Sequence, residues 1–149
     1  MWEWIAQVLS AAVGTAAFAL LFSVPPSCYL RCGVVGGLGW LLYLALDRLG
    51  LGTVVSIFAA TALVVFCSRY SAVRRRCPVT LFLIPGIFPL VPGAGIYWTA
   101  YYVVTDQIDL AARKGFSTLK AAVAIVLGIL LVFELPQGLF RALAERRRK

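Results

Sequence analysis

Pro85-Gly86-Ile87-Phe88-Pro89-Leu90-Val91-Pro92-Gly93-Ala94-Gly95-Ile96-Tyr97 interrupts an apolar stretch that runs from Val79 to Val104. A proline inside a helix removes its own N–H, and its ring meets the carbonyl four residues back, at a cost of about 3 kcal/mol or more. Three prolines and three glycines so close together predict a broken helix. In hydrocarbon the freed backbone groups have no water to turn to, so a break persists only where protein or a wet cavity meets it. The run is therefore the first candidate for a site.

The rest of the chain fixes the environment. Hydrophobic residues make up 62% of the 149 and charged residues 13%, with a mean hydropathy of +0.92. Soluble proteins average about 45–50% apolar and about 25% charged residues. The expected fold class is an all-α integral membrane protein, with residues 1–149 forming a single multispan domain. A span needs about 20 apolar residues, which leaves room for five transmembrane helices, four being possible. The apolar runs place them at about Ile5–Val24, Val34–Leu46, Leu51–Cys67, the broken stretch, and Leu119–Leu135. Arg69 to Pro78 reads as a basic loop before the fourth.

Of the 14 Lys and Arg residues, ten fall on one side if all five segments cross: Arg31, Arg69, Arg74, Arg75, Arg76, Arg141, Arg146, Arg147, Arg148 and Lys149. Arg48, Arg113, Lys114 and Lys120 fall on the other. Cytoplasmic segments carry the excess of Lys and Arg, so the N-terminus is expected outside and the C-terminus in the cytoplasm. A re-entrant fourth segment would collapse that split. The formal charge of +8 is thereby assigned to the lipid bilayer rather than to nucleic acid, since no polar fold surrounds either basic cluster. Met1-Trp2-Glu3-Trp4 lacks the basic start of a signal peptide, so the first span is expected to stay as an anchor, with Trp2 and Trp4 in the interfacial aromatic belt.

Small residues four apart show where membrane helices can approach one another. Ala12 with Ala16, Ala11 with Thr15 and Ala19, Gly33 with Gly37, and Ala124 with Gly128 are such sets. They serve either packing within the chain or contact with another subunit, a homo-oligomer included.

At the break, Pro85 frees the carbonyl of Leu81, Pro89 that of Pro85, and Pro92 that of Phe88, so these oxygens are expected to accept from an ammonium or a cation. Pro92 is placed to open a new helix, leaving the N–H groups of Gly93, Ala94, Gly95 and Ile96 without intrahelical partners. Such a terminus attracts carboxylates without any charged side chain. Discontinuous helices of this kind bind solutes in secondary transporters. Gly93, Tyr97, Tyr101 and Thr105 recur every four residues, and their face is expected to line a pathway. The candidate substrate-binding set is Pro85, Pro89, Pro92, Gly93, Ala94, Gly95, Tyr97 and Tyr101. A second reading stays open, in which the break merely kinks a structural or assembly subunit.

The same proline run resembles the signature of the threonine/serine exporter family, in its C-terminal half or small (YjjB-like) subunit. Phe22-Ser23-Val24-Pro25, the Gly-rich start of the second helix and Ser68-Arg69 fall where that family places similar residues. The resemblance implies a transporter of the bacterial plasma (inner) membrane that exports threonine and serine, or dicarboxylates such as succinate. It also implies a larger YjjP-like membrane subunit as partner. Pro89, Pro92, Gly93 and Tyr97 carry over as signature positions.

The chain has no histidine, and only Glu134 and Asp47 approach a span, so a group that titrates during coupling is expected on the partner. Cys28, Cys32, Cys67 and Cys77 lack a paired C-x-x-C spacing and are read as free thiols, with no metal site and no cofactor expected. No nucleophile with a base and no phosphate loop is present, which argues against an enzyme.

Overall fold

The computed structural model describes residues 2–146, and every regular element among them is helical. Arg147, Arg148 and Lys149 of the basic tail lie outside the described residues, as do the side chains of Arg141 and Arg146. Helices α1 (Trp2–Leu21), α2 (Tyr29–Arg48) and α3 (Thr53–Arg75) form the first half. Helices α4 (Thr80–Ile87), α5 (Gly93–Val104), α6 (Ile108–Phe133) and α7 (Gln137–Arg146) form the second. Four helices are long and apolar enough to cross a membrane, and α4 with α5, bent by 53°, adds a fifth where the pair counts as one span.

The turns follow from local chemistry. Pro25 and Pro26 cannot continue α1, and a 3₁₀ turn at Pro26–Cys28 leads into α2. Between α2 and α3 the backbone adopts φ of +79° at Gly50 and +83° at Gly52, a conformation glycine takes without strain.

Van der Waals seams hold the bundle. On α2, Gly33 and Gly37 lie against Ala12 and Ala16 of α1, and a Cβ at Gly36 would collide with the Thr15 side chain. Thr15 and Ala19 are fully buried on the same row. Gly39 faces Val64 of α3, and Gly128 of α6 faces the Phe58 carbonyl and Thr61 of α3. The small residues at four-residue spacing are therefore used between helices of this chain, where backbones without bulky side chains come close enough for dense contact.

The seams also give direction. Ile57 of α3 packs with Ala121, Ala124 and Ile125, while Val65, two turns on, packs with Val132. Helices α3 and α6 thus run parallel. The chain leaves α3 at one end and enters α6 at the other, so α4 and α5 together cross the bundle as a broken span, not as a re-entrant loop.

Two expectations need correction. Helix α3 continues eight residues past Cys67, to Arg75, so the basic loop shrinks to residues 76–79. Arg69 is the reason: it is 8% exposed and donates to the Val132 carbonyl and, at 3.3 Å, to that of Phe133. Its guanidinium also lies 4.3 Å from the Phe140 ring centroid of α7 and 5.4 Å from that of Phe133. The negative end of α6 and two ring faces replace the water an arginine would otherwise seek. Helix α6 begins eleven residues before Leu119, because Ile108–Lys120 keeps its helical period while turning Arg113, Lys114 and Lys120 outward.

Arg69 ties three helices together at one point. Arg69→Met is expected to lower stability by about 2–3 kcal/mol, the cost of hydrogen bonds from a charged donor. A fall in the melting temperature of the purified protein in detergent checks it, and Arg69→Lys should recover only part of the loss, since an ammonium lacks the planar fork.

Candidate functional site

The helix survives Pro85 and breaks later. Pro85 lies inside α4, fully buried, and α4 passes into a 3₁₀ turn at Phe88–Leu90. Val91 is then extended (φ −63°, ψ 127°) and Pro92 turns the chain (φ −77°, ψ 57°) into α5. The carbonyls expected to be free have donors. The Cys32 thiol donates to the Leu81 carbonyl at 3.4 Å, the Phe88 N–H to Pro85, and the Val91 N–H to Phe88 at 3.2 Å. The three oxygens expected to receive a cation are thus already engaged, by a neighbouring helix and by the tight turn itself.

The amides tell the opposite story. The N–H of Gly93 is taken by Val91 at 2.7 Å and that of Ile96 by Pro92 at 3.1 Å. Ala94 and Gly95 have no backbone acceptor among the described residues. Two donors therefore remain of the four expected, at the positive end of a twelve-residue helix.

These donors face a cavity of about 530 Å³, lined by Pro89 through Gly95, by Trp40 and Tyr43 of α2, and by Thr53, Val54 and Ile57 of α3. Lys114, Ser117, Thr118, Lys120 and Ala121 of α6 complete it. No acidic side chain is among the lining residues. Two lysines, several hydroxyl-bearing residues and the two unpaired amides border it, with aromatic walls where the Trp40 and Tyr43 rings lie 5.0 Å apart. The Lys120 ammonium itself rests 5.2 Å from the ring of Phe116, outside the lining. A lining of that composition suits an anion better than a cation.

Of the candidate residues, Pro89, Pro92, Gly93, Ala94 and Gly95 come together here, and Pro85, Tyr97 and Tyr101 do not. Pro85 is sealed in α4. Gly95 meets Thr118 and Thr99 meets Gly115, so this side of α5 faces α6. Tyr97 and Tyr101 each lie two positions further on, about 200° round the helix, and point away. They are 62% and 44% exposed and stack on one another at 6.5 Å. Trp40, Tyr43, Lys114 and Lys120 line the cavity without being among the candidate site residues, and in the sequence the lysines figure only in the smaller charge set. Their only local signal was a pair of lysines on the amphipathic start of α6, which reads equally well as a solvated face.

The helices and the cavity beside a broken span define a multi-pass membrane protein with a solute-sized site. Residues 7–134 match the family described as "Threonine/Serine exporter, ThrE". The chain belongs to that threonine/serine exporter family, a family of transporters. A similar curated protein is an uncharacterized protein of Haemophilus influenzae, 29% identical over 91 residues that cover 61% of this chain and 31% of the relative. The matched region thus spans about a third of that longer protein. No solved structure matches the chain.

Gly95 shapes the site without lining it alone. A Cβ there would strike the Thr118 hydroxyl. Gly95→Leu is expected to push α5 off α6 and to cost about 1–3 kcal/mol, as overpacking does. Faster proteolysis within residues 93–107 checks it, and Thr118→Ala in the same chain should restore part of the protection.

Proposed function

We propose that this chain is the small subunit of a threonine/serine exporter-type secondary transporter and not an enzyme. It works with a larger YjjP-like membrane subunit to export small carboxylate-bearing metabolites from the bacterial cytoplasm across the inner membrane. The observation that carries this reading is the cavity at the break, whose lining includes Ala94 and Gly95 with unpartnered amides and two lysines, with no acid among the lining residues. A carboxylate supplies what those amides lack. A zwitterionic serine or threonine would also bring an ammonium, for which the lining has no counter-charge. A dicarboxylate such as succinate answers both the amides and the lysines, and is the preferred substrate of this reading.

Orientation follows the charges. Arg31 and Arg74–Arg76 gather at one end of the bundle and Arg48, Arg113, Lys114 and Lys120 at the other, so the positive-inside rule puts the N-terminus outside. In that orientation the cavity, beside the start of α3, faces the outer half of the membrane.

Reconstitution of the full chain in liposomes, with and without the larger subunit, tests the proposal by flux of labelled serine, threonine and succinate. Protein-dependent flux of at least one is expected with both subunits present. Absence of protein-dependent flux from both preparations overturns the reading. Gly93 lines the cavity and a Cβ there meets nothing within 4 Å, so Gly93→Leu should crowd the cavity's edge without disturbing assembly. Lost transport with retained assembly supports a site, whereas lost assembly supports a scaffold. Lys120→Ala should reduce succinate flux about fivefold, the worth of roughly 1 kcal/mol for one screened charge, and leave serine flux within about twofold.

A further inference from the structure

The wall made by Trp40 and Pro89 has a second side. Both residues also line an open crevice of about 360 Å³ whose other face is α1, through Ala6, Gln7, Ser10 and Ala11. Gln7 and Ser10 are exposed, and at a spacing of three residues they share one face of the helix. They lie within the span. Trp4 marks the helix end, its ring 4.6 Å from the Arg48 guanidinium, and Gln7 and Ser10 lie about 4.5 Å and 9 Å deeper at 1.5 Å per residue.

A carboxamide and a hydroxyl at this depth belong against protein or a wet cavity rather than against lipid. The opposite side of α1 makes the contrast. There the hollow between α1 and α2 is lined by Trp4, Ile5, Val8, Leu9 and Leu41, without a hydrogen-bonding side chain apart from the indole. So α1 has an apolar side for lipid and a polar side turned toward the break. Helix α1 packs on α4 and on the 3₁₀ turn, where the Phe18 and Phe88 rings lie 3.5 Å apart, but the 53° bend carries α5 toward α6 and leaves the polar side uncovered.

We propose that the Gln7–Ser10 crevice is a second subsite for the transported carboxylate, separated from the amide-lined cavity by the indole of Trp40 and the ring of Pro89. The inference rests on the transport reading above. The donors here are the Gln7 carboxamide and the Ser10 hydroxyl, both neutral, so a carboxylate is held more weakly than in the first cavity, whose lining includes two lysines. A weaker station next to a stronger one lets a solute leave. Trp40 is then the barrier between them, and its side chain must turn for the solute to pass.

Cysteine accessibility in the reconstituted two-subunit complex tests this, with Cys28, Cys32, Cys67 and Cys77 replaced by serine so that the Cys32 donor is kept. A membrane-impermeant anionic thiosulfonate probes Ser10→Cys, with Val13→Cys as the lipid-facing reference and Gly93→Cys reporting on the first cavity. Ser10→Cys is expected to react at least about tenfold faster than Val13→Cys, and saturating succinate should slow it about fivefold. Unreactive Ser10→Cys beside reactive Gly93→Cys would mean that a helix of the partner or of a second copy covers the crevice. That overturns the subsite and leaves the first cavity standing. Reactive but unprotected Ser10→Cys beside protected Gly93→Cys does the same. Absence of succinate protection at both positions overturns the transport reading and the subsite with it. In the native-cysteine background, Gln7→Leu with Ser10→Ala should lower maximal flux about tenfold at unchanged assembly, and unchanged flux rejects the assignment.

Discussion

A backbone polar group inside a bilayer has to find its partner in the protein, and the centre of this molecule is organised by how far that requirement is met. Around the broken span the acceptors named by the three prolines are settled: Leu81 by the Cys32 thiol, Pro85 and Phe88 by amides of the tight turn that follows. The donors are not. Ala94 and Gly95 present N–H groups to a cavity instead of to a carbonyl. A break that satisfies its oxygens and exposes its amides has an electrostatic sign, positive at the start of α5.

The same bundle divides into parts held by different means. Helices α1, α2, α3 and α6 meet along seams where glycine or alanine lets backbones close, as at Gly36 with Thr15, Gly39 with Val64, and Gly128 with the Phe58 carbonyl. Arg69 adds a polar tie between α3, the end of α6 and α7. Helix α5 has neither form of anchorage to the first three helices. It joins α4 through the extended Val91 and rests on α6 at Gly95 and Thr99. A rigid frame with one arm hinged beside the cavity is the arrangement in which a small rotation exposes or covers a site.

Much of this was legible in the chain, for reasons that also mark the limit. Apolar length located the spans because hydrocarbon thickness imposes it, and prolines located the broken one because their chemistry is local. The small-residue pairs at Gly33 with Gly37 and at Ala124 with Gly128 announced contacts, though not with which helix. Arg69 misled, since a charge near a span end reads as the start of a loop until carbonyls from 63 residues away are known to meet it. Tyr97 and Tyr101 shared a face with Gly93 by simple period, yet only Gly93, at the helix end, borders the cavity, and the two rings turn away because Gly95 and Thr99 take the side toward α6. Lys114 and Lys120 became part of the site only when α6 was folded beside the break, a relation that no local spacing encodes.

The acids complete the electrostatic argument by where they are. Asp47 accepts from the Thr53 hydroxyl at 3.3 Å in the turn between α2 and α3, and Glu134 sits at the end of α6. Neither is among the residues that line the cavity, although Thr53, which donates to Asp47, is. The consequence depends on the charge of the solute. A zwitterion leaving the cell gains nothing from the membrane potential. For a dianion leaving an inside-negative cell each charge contributes about 2.3 kcal/mol per 100 mV. A cavity that is cationic and free of acids is therefore consistent with a transporter that draws its driving force from the charge of what it carries.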